Sequence, residues 1–272
     1  MKLSIIIVNY NSGALTHSCL ESLLAHGLPP QHEIIVIDNA SKDDSVAWLR
    51  SDWPEVTVIA NDTNRGLAAA VNQGIAVARG EYFLMLNPDI IAFPGAVTKL
   101  IEFMDHNPTV GVAGGQLQSP NGKLQHSAFR FYRPSTILYR RTWLGATARG
   151  QAEINRFLMK DFDHQHVRSV EWLMGSCYML RATATREVGG MDERFFLYFE
   201  DVDWCRRFWE QGWQVVYVPT ALFSHFHQRS SRSHPLGILT NWTTREHIRS
   251  AIKYFWKYRG RPTPHIANTA AL

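Results

Sequence analysis

The sequence predicts an α/β fold built on a mixed, mostly parallel sheet flanked by helices. Short apolar runs rich in Val and Ile alternate with segments whose apolar residues recur at helical spacing. Polar residues directly follow several of these runs, which is where open α/β sheets bind their ligands. The chain has 272 residues, of which 45% are hydrophobic, and this is enough for one large core with extensions.

The first half of the chain carries the clearest alternation. Its strand candidates are continuous apolar runs, typical of parallel strands buried on both faces. Asn64-Arg65-Gly66 is a turn signal before the third helix, and Asn87-Pro88-Asp89 stops the fourth strand. Strands are predicted over residues 3–8, 33–37, 56–60, 82–86 and 110–114, and helices over 15–24, 43–49, 67–78 and 96–107.

The second half is less regular. Residues 116–167 lose the alternation and interleave arginines with aromatic residues. We interpret them as an irregular segment lining an acceptor cleft, with an ordinary surface excursion as the alternative. Residues 169–181 are predicted to form a strand interrupted at Gly175-Ser176, and a helix is predicted to continue through Trp204.

Charge and cysteine content narrow the choice of partners. The net charge of +4 favours small phosphate-bearing ligands or acidic lipid surfaces, and it is too weak and too dispersed to indicate nucleic acid. The three cysteines form no CxxC pair, which indicates reduced thiols in a cytoplasmic protein. The apolar run near the N-terminus is too short for a signal peptide, and no run reaches transmembrane length.

Polar side chains follow three of the predicted strands. Asn9 follows the first, Asp38 the second, and Asn87 and Asp89 the fourth. Because the carboxyl ends of parallel strands meet at one edge of the sheet, we expect these residues to gather there, although each one singly could be a solvated loop residue. Asp89 would suit a divalent cation bridging a diphosphate, since Mg²⁺ and Mn²⁺ prefer oxygen ligands and take many of them from phosphate and water. The first turn lacks a GxGxxG pattern, which argues against a dinucleotide fold.

Three carboxylates fall within four residues at Glu200-Asp201-Val202-Asp203, directly after an aromatic run over residues 195–199. Carboxylates this close repel one another, so a fold keeps them together for a cation, a metal or a proton transfer. They would lie at a helix N-terminus, where the helix dipole stabilises negative charge. The alternative is a structural cluster paired with the two arginines that follow, and it fits Asp203 best.

Two histidines follow a predicted strand in His225-Phe226-His227. In extended backbone alternate side chains share a side, so both imidazoles would face one way. Imidazole is a plausible metal or phosphate ligand, and histidines that are solvated or satisfied in the core are the alternative.

Six segments, in order, resemble one known family. They are LSIIIVNYN, VIDNASKDDS, NDTNRGLAAAVNQGI, YFLMLNPD, WLMGSCYMLR and EVGGMDERFFLYFEDVDWCRRFWEQG, and the match runs from about Leu3 to His227. The pattern resembles the inverting family-two glycosyltransferases of GT-A fold, and among them the bacterial rhamnosyltransferase-like branch that builds surface polysaccharides. The resemblance implies a GT-A, Rossmann-like sheet, and it leaves the arginine-rich middle and the C-terminal tail undiagnosed.

The resemblance also implies roles for individual residues. The nucleotide pocket would be formed by Val8, Asn9, Asp38, Asn64, Arg65, Gly66 and Asn87, with Trp172 and Gly175 near the donor sugar and the acceptor. Asp89 would occupy the metal-binding DxD position, and His225 would be the C-terminal metal or phosphate ligand. Glu200-Asp201 would supply the general base, with Asp201 as the base and Glu200 as its rival. Asn87 replaces the first Asp of the strict DxD pattern, which lowers the ligand charge.

The implied enzyme is metal-dependent and inverting. It would move a sugar, with rhamnose as one candidate, from a nucleotide-diphosphate sugar to a hydroxyl of a glycan or lipid-linked acceptor in surface polysaccharide or glycolipid biosynthesis, with Mg²⁺ or Mn²⁺ as cofactor. Two alternatives remain: a sugar nucleotidyltransferase on a similar α/β sheet, which would need a Gly-rich basic phosphate loop, and a non-catalytic nucleotide-sugar-binding protein.

The C-terminal segment is predicted to form a separate part of the chain. Residues 1–240 would form the GT-A domain, and residues 241–272 an amphipathic helix with a frayed tail. The helix, predicted over 246–261, places Ile248, Ile252 and Phe255 on one face beside basic residues, listed as Arg249, Lys253, Lys257 and Arg259. Such a helix could lie on the inner face of the cytoplasmic membrane, and a helix packed on the domain is the alternative.

Overall fold

The computed structural model describes residues 1–226, 241–264 and 266. Twelve strands lie in this part of the chain. They are β1 (Leu3–Asn9), β2 (His32–Asp38), β3 (Thr57–Ala60), β4 (Tyr82–Leu86), β5 (Ile90–Ala92), β6 (Val110–Gln118), β7 (Leu124–Gln125), β8 (Ala128–Phe129), β9 (Arg168–Ser169), β10 (Trp172–Leu173), β11 (Cys177–Arg181) and β12 (Gln214–His225).

Helices cover both faces of the sheet. They are α1 (Gly13–Ala25), α2 (Ser45–Asp52), α3 (Leu67–Val77), α4 (Ala96–His106), α5 (Pro134–Arg141), α6 (Ala148–Phe157), α7 (Ala182–Val188), α8 (Glu200–Glu210) and α9 (Trp242–Lys257), with a 3-10 turn at Trp143–Ala146. Within the described residues, no helix is both long and apolar enough to cross a bilayer.

The main sheet has the order β3-β2-β1-β4-β11-β6-β12-β5. Its first four strands are parallel, β11 runs antiparallel between β4 and β6, and β12 is parallel to β6 but antiparallel to β5. The sheet is therefore mixed and mostly parallel, as predicted. Both faces of β1 are buried because its side chains alternate between two apolar clusters, one on each side, with Ile6 in one and Ile5 and Ile7 in the other.

The middle of the chain is more regular than predicted, and its place along an acceptor cleft stays a prediction. Residues 116–167 are not irregular, because they contain the end of β6, the short strands β7 and β8, and the helices α5 and α6. Proline at the first position of α5, Pro134, suits a helix start because its missing N–H has no partner in the first turn. The Thr147 side chain caps α6 by accepting the Gly150 N–H at 3.1 Å. Residues 169–181 are likewise not one strand, since β9, β10 and β11 share them.

The C-terminal helix begins and ends four residues earlier than predicted, and it packs on the domain. Tyr254 is buried, Ser250 donates to the Leu197 carbonyl at 2.9 Å, and the Lys257 ammonium lies 2.5 Å from Asp203. Lys257 is therefore held in the domain by ion pairs and is not part of an exposed basic face. The boundary at residue 240 stays a prediction.

Candidate active site

A cleft of about 930 Å³ opens at the carboxyl ends of β1, β2 and β4. Five of the residues expected in the nucleotide and metal sites line it: Val8, Asn64, Gly66, Asn87 and Asp89. Aromatic side chains complete its wall, namely Tyr10, Phe196, Phe226 and Trp242. The polar groups at the strand ends and the flanking aromatic rings make a concave surface that suits a nucleotide.

Asn9 and Asp38 lie beneath this cleft and are not among its lining residues. The Asn9 amide donates to the Asp38 carboxylate at 2.7 Å and accepts the Thr16 hydroxyl at 2.9 Å. The second Asp38 oxygen accepts the Ser41 N–H at 2.9 Å, and only 2% of the Asp38 surface is exposed. Both residues thus tie the first two strand ends together, and their predicted contact with a nucleoside stays a prediction.

Asn39 organises the predicted turn, and the sequence reasoning missed it. Its amide nitrogen donates to the Asn64 side chain at 3.0 Å and to the Gly66 carbonyl at 3.2 Å, while its oxygen accepts the Arg65 N–H at 3.0 Å. The Arg65 side chain itself is exposed. Gly66 has φ +83°, and a Cβ there would meet Phe196 at 2.8 Å, so only glycine fits. The position directly after Asp38 was the available signal for Asn39.

Asp89 and His225 face each other although 135 positions separate them in the sequence. Strand pairing sets Ile90 of β5 opposite His225 of β12, and the His225 Nε2 atom lies 3.3 Å from the Asp89 carboxylate. His225 is 2% exposed. His227, the additional histidine, lies outside the described residues.

The Gln125 side chain holds His225 at two points. Its amide nitrogen donates to the His225 carbonyl at 3.0 Å, so its oxygen is turned toward the ring, 2.9 Å from Nδ1. A carbonyl only accepts, and so does the amide oxygen, so this bond places the proton of the neutral imidazole on Nδ1. The Nε2 lone pair is thereby directed to the side where Asp89 lies.

These two side chains fit a divalent cation. Two cis ligands of an octahedral ion, each about 2.1 Å from it, lie about 3 Å apart, close to the separation of Asp89 and His225. An imidazole nitrogen and a carboxylate oxygen suit Mn²⁺. Within the described residues, no group of three or more His, Cys, Asp or Glu side chains could hold a metal. Mg²⁺ and Mn²⁺ sites commonly take further ligands from phosphate and water.

The acidic cluster begins α8, after two residues in a costly backbone conformation. Tyr198 has φ +68° and Phe199 φ +71°, a left-handed region that non-glycine residues rarely adopt. Packing holds them: the Phe199 ring lies 4.7 Å from the Tyr132 ring and 5.4 Å from the Tyr254 ring. The sharp turn ends the aromatic run and starts the helix at Glu200.

The three carboxylates of the cluster have different surroundings. Asp203 is fully buried and bonded to Arg207, Lys257 and Tyr258, which agrees with a structural role. Glu200 is 4% exposed, and its Oε2 atom is buried without a hydrogen-bond partner. Burial, together with the nearby Asp201 charge, raises the pKa of Glu200 well above its usual range. This rise favours the neutral acid over the carboxylate at Glu200.

Asp201 is held by two backbone donors. Its carboxylate accepts the Gly175 N–H at 3.0 Å and the Val202 N–H at 2.8 Å. Burial raises the pKa of Asp201 to about 6, and these two bonds oppose the rise. Its carboxylate is thus ionised but basic at pH 7, as a general base should be.

Gly175 contacts Asp201, and Trp172 belongs to the aromatic cluster nearby. A Cβ at Gly175 would meet the Asp201 side chain at 3.2 Å, so a larger residue would crowd the carboxylate. Trp172 is buried, stacks on Phe129 at 4.5 Å and donates to the Arg130 carbonyl at 2.9 Å. The segment that holds Asp201 reaches the cleft, since the Ser176 carbonyl accepts the Asn87 N–H at 2.8 Å.

The chain is similar to known proteins over most of its length. The model of the family described as glycosyl transferase family 2 matches residues 4–189. The N-acetylglucosaminyl-diphospho-decaprenol L-rhamnosyltransferase of Mycobacterium tuberculosis is 30% identical over 260 residues, which cover 87% of this chain and 80% of that protein. The poly(ribitol-phosphate) beta-glucosyltransferase of Bacillus spizizenii is 33% identical over 144 residues, 51% of this chain and 23% of that protein.

Solved structures share the fold. A mannosyltransferase from Pyrobaculum calidifontis, in complex with GDP-Man and Mn²⁺, has a TM-score of 0.62 at 17% identity and aligns with 93% of this chain. GalNAc-T7 with UDP, GalNAc and Mn²⁺ has a TM-score of 0.67 at 16% identity and aligns with 94% of it. The chain spans 64% and 49% of those two proteins. The predicted GT-A fold is confirmed by these neighbours. The matched family model and the rhamnosyltransferase relative together establish that the chain belongs to glycosyl transferase family 2.

Proposed function

We propose that this protein is an inverting, metal-dependent glycosyltransferase that moves a deoxyhexose such as rhamnose from a nucleotide-diphosphate sugar to a lipid-linked glycan. The observation that carries the proposal is the pairing of Asp89, which lines the cleft, with the buried His225. The printed activity of the Mycobacterium tuberculosis relative supports rhamnose and the lipid-diphosphate acceptor. The neighbours that contain a nucleotide or nucleotide sugar with Mn²⁺ support the cofactor.

In the proposed reaction Asp201 removes the proton of the acceptor hydroxyl. The oxygen then attacks the anomeric carbon from the side opposite the diphosphate, so the new bond forms as the old carbon–oxygen bond breaks and the configuration inverts. Asp89 and His225 would hold the cation, which supplies positive charge to the departing diphosphate oxygens. Glu200, whose pKa burial raises well above its usual range, lies beside the base, and the Gly175 N–H fixes the direction of the Asp201 carboxylate.

The two alternative functions have less support. A sugar nucleotidyltransferase would need a basic Gly-rich phosphate loop after β1, where this chain has Asn9-Tyr10-Asn11-Ser12-Gly13. A non-catalytic nucleotide-sugar-binding protein would not need a backbone-anchored carboxylate whose pKa is raised to about 6.

A transfer assay with defined substrates tests the proposal. We expect the protein with Mn²⁺, dTDP-rhamnose and an N-acetylglucosaminyl diphospholipid to release dTDP and form the disaccharide lipid. The Asp89→Asn variant should lose most of this activity, and calorimetry should find that Mn²⁺ no longer strengthens its dTDP binding. Metal-independent turnover, or unchanged Mn²⁺-assisted binding by the variant, would refute the metal site. No turnover with dTDP-, UDP- or GDP-sugars would refute the enzyme assignment.

A membrane contact through α9 also remains a proposal. Six exposed positions three or four apart form one stripe along α9 and the turn after it, three apolar and three basic: Trp242, Arg245, Arg249, Ile252, Trp256 and Arg259. Ile252 is 65% exposed and Trp256 73% exposed. Aromatic rings that can enter the headgroup region, with arginines beside them, suit an anionic lipid surface. The stripe differs from the predicted face, since Phe255 packs against the core.

Liposome flotation distinguishes this stripe from an ordinary exposed face. We expect binding to vesicles rich in phosphatidylglycerol, and at least a fivefold loss for the Ile252→Ser/Trp256→Ser variant, because both side chains would leave the interface. Trp48→Ser is the matched control, since Trp48 is 46% exposed on α2. Equal binding by all three proteins would rule out the stripe as the contact.

A further inference from the structure

Two adjacent arginines at the end of α5 concentrate positive charge. Among the residues that the structure describes, neither Arg140 nor Arg141 forms an ion pair, whereas other arginines of the middle segment do, such as Arg130 with Asp161 and Arg156 with Glu153. Arg140 donates to the Tyr132 hydroxyl at 3.0 Å and lies 4.8 Å from the Phe157 ring centre. A fold that keeps two like charges together has a use for an anion there.

The surroundings of the pair confirm that the positive charge is concentrated. Burial lowers the pKa of Arg141, and the neighbouring Arg140 lowers it further. Burial and the two arginines lower the pKa of His247 to about 3, so this ring is neutral and its Nδ1 atom is buried without a partner. In the described part of the chain, this surface thus offers two guanidinium groups with no carboxylate paired to them. Guanidinium forks match phosphate oxygens in geometry.

The arginines connect to the candidate base through one aromatic wall. The Tyr132 ring, which Arg140 holds by its hydroxyl, lies 4.7 Å from the Phe199 ring and 5.7 Å from the Trp172 ring. Phe199 leads directly into Glu200-Asp201, and the Asp201 charge acts on the Tyr132 hydroxyl. An anion on the arginines would therefore be linked to Asp201 through Tyr132 and Phe199, and neither arginine lines the nucleotide cleft.

Apolar side chains beside the arginines are exposed to solvent. Trp143, two residues after Arg141, is 80% exposed, and Leu138 on the same helix is 48% exposed. Large exposed apolar residues next to basic ones are typical of surfaces that meet lipid.

We propose that Arg140 and Arg141 bind the diphosphate of a lipid-linked acceptor, with Leu138 and Trp143 contacting its hydrocarbon chain. This inference rests on the proposed glycosyl transfer and adds the acceptor site to it. The diphosphate sits next to the acceptor sugar, so its capture by the arginines positions the sugar hydroxyl at Asp201. The site selects acceptors that carry a diphosphate and a lipid, and it leaves donor binding unaffected.

Kinetics with two water-soluble acceptors test the site without membranes, so phospholipid headgroups cannot contribute. One acceptor is a short-chain N-acetylglucosaminyl diphospholipid, and the other is an alkyl N-acetylglucosaminide without phosphate. For Arg140→Gln/Arg141→Gln we expect KM for the first to rise by at least about tenfold, because charge-assisted bonds to two phosphates are lost. KM for the second, which carries no diphosphate, should not change. Arg149→Gln, on the exposed start of α6, is the matched control.

A binding measurement separates this inference from the proposed reaction. With saturating dTDP and Mn²⁺, wild-type protein should bind a short isoprenyl diphosphate, and the double variant should bind it at least tenfold more weakly. If wild type binds this probe but transfers no sugar, the acceptor site stands and the proposed reaction fails. If wild type transfers sugar while the double variant keeps its KM, or loses both acceptors equally, the diphosphate site is overturned.

Discussion

The Asp201→Asn variant should lose transfer by about 10²–10⁴-fold in kcat while keeping its affinity for the nucleotide. Asparagine keeps the shape of the side chain and can still accept one of the two backbone N–H groups, but it cannot take a proton. Single-turnover kinetics with saturating donor and acceptor measure the loss, and calorimetry with dTDP and Mn²⁺ measures the retained binding. Full activity in this variant would contradict the assignment of Asp201 as the base.

Glu200→Gln is the matched comparison, because it changes the neighbouring carboxyl in the same way. Burial raises the pKa of Glu200 well above its usual range, which favours the neutral form that glutamine resembles. The variant should therefore lose far less than Asp201→Asn, within about tenfold. A loss as large as that of Asp201→Asn would instead give Glu200 an essential part in the proton transfer.

The pH profile of the wild-type enzyme follows from the same carboxyl group. The pKa of Asp201 is raised to about 6, and only the ionised form can accept a proton. The rate should thus be constant above the pKa and fall about tenfold for each pH unit below it. A rise in pH affects the stability of the fold in the opposite direction to the rate. A carboxyl whose folded pKa is raised favours folding when protonated, so Asp201 destabilises the fold as pH rises through 6.

The Asp203→Ala variant should lower the free energy of unfolding by about 3 kcal/mol. Its carboxylate is fully buried and accepts bonds from Arg207 at 2.9 Å, Lys257 at 2.5 Å and Tyr258 at 2.8 Å. Removing one member of a buried ionic network leaves the opposite charges uncompensated, which costs about 3–5 kcal/mol. Lys257 keeps Asp192 as a partner at 2.7 Å, so we expect the lower end of that range.

Urea denaturation monitored by tryptophan fluorescence measures this loss. Asp161→Ala serves as the control, because it removes the ion pair between Asp161 and Arg130. The Asp161 side chain in that pair is 54% exposed. Exposed pairs contribute at most about 1 kcal/mol. Equal midpoints for the two variants would show that α9 is not held to the domain through Asp203.

Much of the fold was predictable because buried parallel strands leave an unmistakable pattern. The runs ending at Asn9, Asp38 and Leu86 are continuous and apolar, and each became a strand within two residues of its predicted bounds. The middle segment was missed because α5 and α6 are short and their helical signal resides in Pro134 and Thr147 at their starts. A helix of eight to ten residues gives little periodicity to read.

The residues of the candidate site likewise divide into those that a local sequence pattern predicts and those that depend on distant strand pairing. Asp89 and Asn87 follow a predicted strand, so their position at the sheet edge could be expected. The pairing of Asp89 with His225 depends on the alignment of β5 with β12, which no local pattern encodes. Gln125 was missed for this reason, since its importance comes from a ring 100 positions away. The different protonation of Glu200 and Asp201 follows from burial, which their adjacency in the sequence conceals.

The left-handed pair Tyr198-Phe199 ties the chemistry to distant parts of the chain. Two unfavourable residues in succession persist only while their neighbours leave no room to relax. Those neighbours are Tyr132 from the middle segment and Tyr254 from the C-terminal helix, both in contact with Phe199. Three regions separated in sequence thus hold one bend of the backbone in place, and the direction of the Asp201 carboxylate depends on all three. Directed evolution of acceptor choice in this protein would gain more from paired substitutions in these three regions than from any substitution in the acidic motif alone.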